Sequence, residues 1–125
     1  MASRREERRQ DTHFKVMYLV QEYPTITTRE IANRVGISNG AAYYCVTALI
    51  KKGFVKLQIF TNSKAKANYL YKLTPSGIRA KASLTVQFLE RKRKEYHELK
   101  DEIERFENDL RLERKGAHSE VKETL

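Results

Sequence analysis

Between Gly36 and Val55 the chain reads GISNGAAYYCVTALIKKGFV, and from Ser38 to Ile50 it holds no Arg, Lys, Asp or Glu. After Ser38 the stretch offers one amide and three hydroxyls, on Asn39, Tyr43, Tyr44 and Thr47, with Gly40 beside them. Amides and hydroxyls donate and accept hydrogen bonds without a fixed charge, and tyrosine rings pack against methyl groups. That combination suits the reading of nucleobase edges in a major groove. Ala42, Val46 and Leu49 recur at intervals of four and three residues, the inward stripe of an amphipathic helix. Asn39, Gly40, Tyr43, Tyr44 and Thr47 therefore share the other face, with Lys51 further along. Other chemistries find no support. There is no Ser/His/Asp or Cys/His set and no phosphate-binding glycine loop. His13, His97 and His118 do not make a metal-ligand spacing with the single Cys45. The expectation is a non-enzyme with neither metal nor other cofactor.

Charge points to the same class of partner. The chain of 125 residues has 25 basic and 16 acidic side chains, a net charge of +9. The whole excess lies in the first 80 residues, since residues 81–125 hold eleven of each sign. A compact basic region calls for a polyanion, most often nucleic acid. No apolar run reaches the ~18 residues of a membrane span, and MASRREERRQ has no apolar segment to act as a secretory signal. With one cysteine and no internal disulfide to form, a cytoplasmic location is expected, away from membranes.

The elements that must position these residues follow from local signals. QDTHFKVMYLVQE, from about Gln10 to Glu22, is helical in character and apolar almost all round, so it buries one side on its own domain and one on a partner. Tyr23-Pro24 ends it. In TTREIANRVG, Thr27 and Glu30 have capping-box spacing, and Gly36 supplies the left-handed C-terminal residue. Ser38 caps the next helix, which runs to Lys52 and stops at Gly53. Two helices joined by a short glycine-containing turn are a helix-turn-helix signature. FVKLQIF and NYLYKL, separated by the small and basic TNSKAKA, predict a β-hairpin over residues 54–73. Thr74 and Pro75 then start a helix with no further breaker until Gly116, a run of about 40 residues or ~60 Å.

In this order, ISNGAAYYCVTALIKKGFV, the basic hairpin and YKLTPSG resemble the DNA-binding core of MarR-type transcriptional regulators over roughly residues 10–80. The stretch LTPSGIRAKASLTVQFLERKRKEYHELKDEIE extends the likeness to the small MarR-like regulators associated with exopolysaccharide gene clusters, which have one long C-terminal helix. The resemblance implies a dimer, with the second helix of the motif in the major groove and the wing tip in the minor groove. The family's Asp-x-Arg-Asp-x-Arg-like wing motif is absent. Counting back from Leu73-Thr74, its Asp falls on Asn62, its Arg on Lys64 and a later basic position on Lys66. Lysine keeps the charge but loses the planar fork, so wing contacts are expected to be less selective for groove shape.

The last helix carries a seam of its own. Leu89, Tyr96, Ile103 and Leu110 repeat every seven residues, and Leu99 and Phe106 sit three beyond Tyr96 and Ile103. Lys92 and Glu113 interrupt this heptad pattern at its ends. A partner helix would cover such a seam, in parallel or antiparallel pairing; Glu102 meeting Glu107 in the parallel register leans towards the antiparallel or offset one. ERKRKE, residues 90–95, reads as a solvated face with i,i+4 charge pairs. Cys45, beside the inward stripe, reads as a small half-buried filler.

The expected molecule is mainly α with a small β-hairpin. Residues 1–9 form a flexible basic N-terminus, 10–74 a winged helix-turn-helix domain, 75–115 a long dimerisation helix and 116–125 a flexible tail. Its expected partners are double-stranded DNA and a second copy of itself; an effector is not specified. Asn39, Gly40, Tyr43, Tyr44 and Thr47 are expected to select bases. Thr27, Ser38, Lys51, Lys56, Asn62, Lys64 and Lys66 are expected to hold phosphates or the wing groove. The competing function is a protein-interaction scaffold that uses the winged domain and the long helix for docking.

Overall fold

The computed structural model describes residues 3–61 and 67–123. The elements in order are α1 (Arg4–Glu22), α2 (Thr28–Val35), α3 (Asn39–Lys51), β1 (Val55–Thr61), β2 (Ala67–Leu73) and α4 (Pro75–Glu123). This is the expected fold class: a winged helix-turn-helix with a two-stranded antiparallel hairpin, followed by a long C-terminal helix. The chain divides into two compact units, residues 1–88 and 89–125, and α4 contributes to both.

Two helices reach further than their sequence signals suggested. Helix α1 starts at Arg4, not near Gln10, because the Ser3 hydroxyl accepts from Glu6 N at 3.2 Å and Glu6 and Glu7 favour the positive end of the helix. Helix α4 passes through Gly116 to Glu123. A glycine costs only about 1 kcal/mol against alanine inside a helix, too little to end one that long.

The core of the first unit gathers one stripe from each of α1, α2 and α3. Val16, Met17 and Val20 of α1 meet Ile31 and Ala32 of α2 and Ala42, Cys45, Val46 and Leu49 of α3. Ile26 and the wing residues Val55, Tyr71 and Leu73 close it. Helix α2 begins as its sequence predicts: Thr27 Oγ1 accepts from Glu30 N at 3.1 Å and donates to Glu30 Oε1 at 3.2 Å. It ends at Gly36, whose φ of 80° is left-handed, with Gly36 N donating to Ala32 O at 2.8 Å. The turn from Gly36 to Ser38 then sets α3 against α2.

The hairpin is tied down at its base. Val55 pairs with Leu73 and the register continues to Thr61 with Ala67. Tyr71 N donates to Pro24 O at 2.8 Å, and the Tyr69 hydroxyl donates to Ile26 O at 3.2 Å. These bonds fix the wing to the loop between α1 and α2.

The end of the YKLTPSG stretch, from Leu73 to Gly77, has a structural meaning at the junction of wing and α4. Thr74 N donates to Phe54 O at 3.0 Å, and the Thr74 hydroxyl accepts from Gly77 N at 3.0 Å. That hydroxyl also bonds Gly53 O, which the Ser76 hydroxyl reaches at 3.0 Å. Gly77 is buried, and a Cβ built there would lie 2.0 Å from Phe54 O. Only glycine lets α4 approach the end of α3 this closely.

Candidate nucleic-acid interface

Helix α3 separates its two faces cleanly. Ser38 Oγ accepts from Ala41 N at 3.1 Å and starts the helix, with no acidic residue in the first turn. Ala42, Cys45, Val46 and Leu49 point inward. Tyr43 and Tyr44 are 66% and 73% exposed, although aromatic rings of that size ordinarily bury much of their surface. Asn39 and Gly40 are exposed beside them, Thr47 is half-buried, and Lys51 is exposed in the last turn. The five residues expected to select bases thus lie on one helix, with Thr47 nearest the core.

Gly40 has no internal reason to be glycine. A Cβ there would meet nothing of the described chain within 4 Å, while glycine in a helix costs roughly 0.5–1 kcal/mol against alanine. This contrasts with Gly77, whose lack of a side chain the fold itself requires.

The expected phosphate contacts divide into three groups. Thr27 and Ser38 are exposed N-caps, but Glu30 sets a carboxylate at the start of α2, whereas the start of α3 has none. A helix N-terminus free of acidic side chains is the better place for an anion. Lys56 is exposed on β1, and the register places Lys72 directly opposite it, also exposed. Like charges facing each other across strands are unfavourable without a counter-ion. Lys72 was missed in the sequence; pairing the two hairpin strands symmetrically would have found it. Asn62, Lys64 and Lys66 lie outside the described residues.

Two titratable groups sit behind α3. Burial pushes the Cys45 thiol up to about 11, against the opposing pull of Lys52 and Arg9. The thiol is therefore almost wholly protonated near neutral pH, which suits a filler and not a reactive thiolate. His13 is held below its ordinary value by burial first, then by Lys52 and Arg9. Among the described residues no three His, Cys, Asp or Glu side chains gather as metal ligands. No helix among them is long and apolar enough to cross a membrane.

In the second unit the heptad residues form one exposed line along α4. Leu89, Tyr96, Leu99, Ile103, Phe106 and Leu110 are each between 43% and 62% exposed. The basic run beside their start forms a Lys92–Glu95 ion pair at 3.1 Å on the surface, a type of contact worth little.

A family model of winged helix-turn-helix DNA-binding domains matches residues 9–56, fewer than half of the chain. A PadR-like transcriptional regulator from Bacillus cereus superposes with a TM-score of 0.58 at 12% identity, covering 70% of this chain and 89% of that one. ZitR from Lactococcus lactis, a zinc-responsive MarR family member, gives a TM-score of 0.53 at 22% identity, over 73% of this chain and 60% of that one. The PcaV transcriptional regulator of Streptomyces coelicolor is 22% identical over 62% of this chain, with a TM-score of 0.49; the match spans only 54% of PcaV. No curated protein matches the sequence. The chain therefore has a winged helix-turn-helix fold, shared with solved MarR- and PadR-type regulators.

Proposed function

We propose that this protein is a homodimeric, sequence-specific DNA-binding transcription regulator without catalytic activity, acting on exopolysaccharide biosynthesis genes. The observation that carries the proposal is the outward face of α3, where two exposed tyrosines stand on a helix free of charge from Ser38 to Ile50. In this reading α3 enters the major groove, and Asn39, Tyr43, Tyr44 and Thr47 meet base edges and thymine methyls. Gly40 lets the start of the helix come close to the groove. Positive charge stands around the reading face and not on it. Lys51, the Lys56–Lys72 pair and the wing lysines Lys64 and Lys66 meet phosphates on either side. The start of α3 at Ser38 adds backbone N–H groups, with Thr27 a weaker contact because of Glu30. The seam from Leu89 to Leu110 serves the dimer. The exopolysaccharide assignment rests on the sequence likeness beyond the wing.

Phosphate neutralisation releases counter-ions, so affinity for any duplex falls steeply with salt. Replacing Lys64 and Lys66 together with alanine is expected to flatten the plot of log affinity against log salt by roughly 1–2 units. Band shifts between 50 and 200 mM salt, a range chosen because counter-ion release is large across it, measure this. An unchanged slope removes the wing lysines from the DNA interface.

A further inference from the structure

Helical spacing sends the last two lysines of α3 to different sides. Lys51 lies seven residues after Tyr44 and shares its outward side; Lys52 lies seven after Cys45 and three after Leu49, on the inward stripe. Lys52 therefore ends on the core side of α3, away from Tyr43 and Tyr44. There it lines a cleft of about 370 Å³ that α1 and α4 also line, all within the first unit. From α1 come Glu6, Arg9, Gln10 and His13, one helical face by their spacing of three and four. Phe54 and, on α4, Ala80, Ser83 and Leu84 complete the wall.

The polar part of this cleft suits a negative group. Arg9 and Lys52 are exposed and His13 is half-buried. Burial first, then Lys52 and Arg9, hold His13 below its ordinary value, with no carboxylate offsetting them. The same two cations act on Cys45, which places both close to the inward stripe of α3. Glu6 is the one acidic side chain in the lining. Two fixed positive charges, a histidine able to become the third, and the neutral donors of Gln10 and Ser83 match a phosphate dianion, whose oxygens accept several hydrogen bonds. Phe54, Ala80 and Leu84 are apolar and suit a short carbon skeleton. The volume lies at the lower end of the ~300–1,000 Å³ of small-molecule sites, so the matching ligand is small.

We infer that the cleft between α1, the end of α3 and the start of α4 is a binding site for a small organic phosphate monoester. The ligand joins Arg9 and His13 of α1 to Lys52 at the end of the candidate reading helix, on the side of α3 away from its two exposed tyrosines. Binding takes up a proton, because the ester's charge offsets Lys52 and Arg9 and raises His13. Glu6 is the only acidic group facing the cleft from α1, and α4 presents no charged group there. A group raised on binding favours the bound state as pH falls. Affinity therefore increases from about pH 8 to about pH 6.5 and levels off as the ester itself protonates near about pH 6. The site goes beyond the DNA-binding reading and is tested without an operator.

Glycerol 3-phosphate titrated into the full-length protein tests it, with sodium chloride at equal ionic strength as the control. Proton NMR follows the imidazole of His13, assigned with His13→Gln, against that of His97. The expected result is saturable binding at millimolar concentration or below that raises the His13 titration midpoint and leaves His97 unmoved. Arg9→Gln and Lys52→Gln, both at exposed positions, are each expected to weaken binding by about 10-fold or more. No His13 response, a response that chloride reproduces, or one that neither variant weakens overturns the site. Random duplex DNA is the second arm, since its backbone offers phosphates too. DNA that displaces the ester from His13 would assign these cations to the duplex and overturn the small-ligand site; failure to compete is the expected result.

Discussion

Gly77→Ala is expected to destabilise the protein by about 2–3 kcal/mol, the upper part of the range for forcing a group into packed structure. The added Cβ would meet the backbone of Phe54, 2.0 Å from its carbonyl oxygen and 2.8 Å from its carbonyl carbon. Backbone cannot rotate aside as a flexible side chain can. Relief requires α4 to move away from the end of α3, which pulls on the bonds from Thr74 and Ser76 to Gly53 and Phe54. In a domain of this size the loss corresponds to a fall in Tm on the order of 10 °C. Gly40→Ala is the matched control: with open space around it, alanine leaves the melting temperature unchanged or slightly higher. Thermal melts followed by circular dichroism separate the two. Equal melting of Gly77→Ala and wild type would show that α4 does not pack on the end of α3 as described.

Removing both exposed tyrosines is expected to change what the protein prefers and to leave its stability alone. Tyr43 and Tyr44 make no contribution to the buried core, so Tyr43→Ala/Tyr44→Ala melts within a degree or two of wild type. A good base contact is worth roughly 1–3 kcal/mol of discrimination, so losing two lowers the preference for a specific site by about 30-fold at least, and by up to ~10⁴-fold. The double substitution removes no lysine or arginine, so the salt slope for random DNA stays as it was. A double variant that loses specific and random binding by the same factor would remove base selection from these residues.

Much of the scaffold was legible because its signals are local. Thr27 with Glu30, Gly36, Ser38 and Pro75 each mark a helix end by chemistry acting over three or four residues, and each stands where the helix ends lie. The hairpin was legible for the same reason, its strands being rich in β-branched and aromatic residues on both sides of a polar turn. Helix α1 was placed too late because its first turns hold only charged and polar residues, and periodicity says nothing where there is no apolar stripe. The need for glycine at position 77 is a tertiary fact: Phe54 O comes from a strand entry 23 residues earlier. The cleft that Phe14 and Tyr18 of α1 share with Arg34 and Val35 of α2 is tertiary too, since it exists only when α2 folds back on α1. On the candidate reading face, helical spacing put Tyr43 and Tyr44 on the outside. It did not show that Thr47 sits at the margin of the core, where its reach is shorter.

The most direct test of sequence-specific recognition is a competition band shift between the region upstream of the protein's own gene and random duplex DNA of equal length. It is repeated across the salt range over which non-specific binding collapses. Random binding is expected to fall steeply with salt while the upstream region keeps at least ~10³-fold tighter binding. Equal affinity for both duplexes at every salt concentration would contradict it, and would favour a winged domain used for docking proteins.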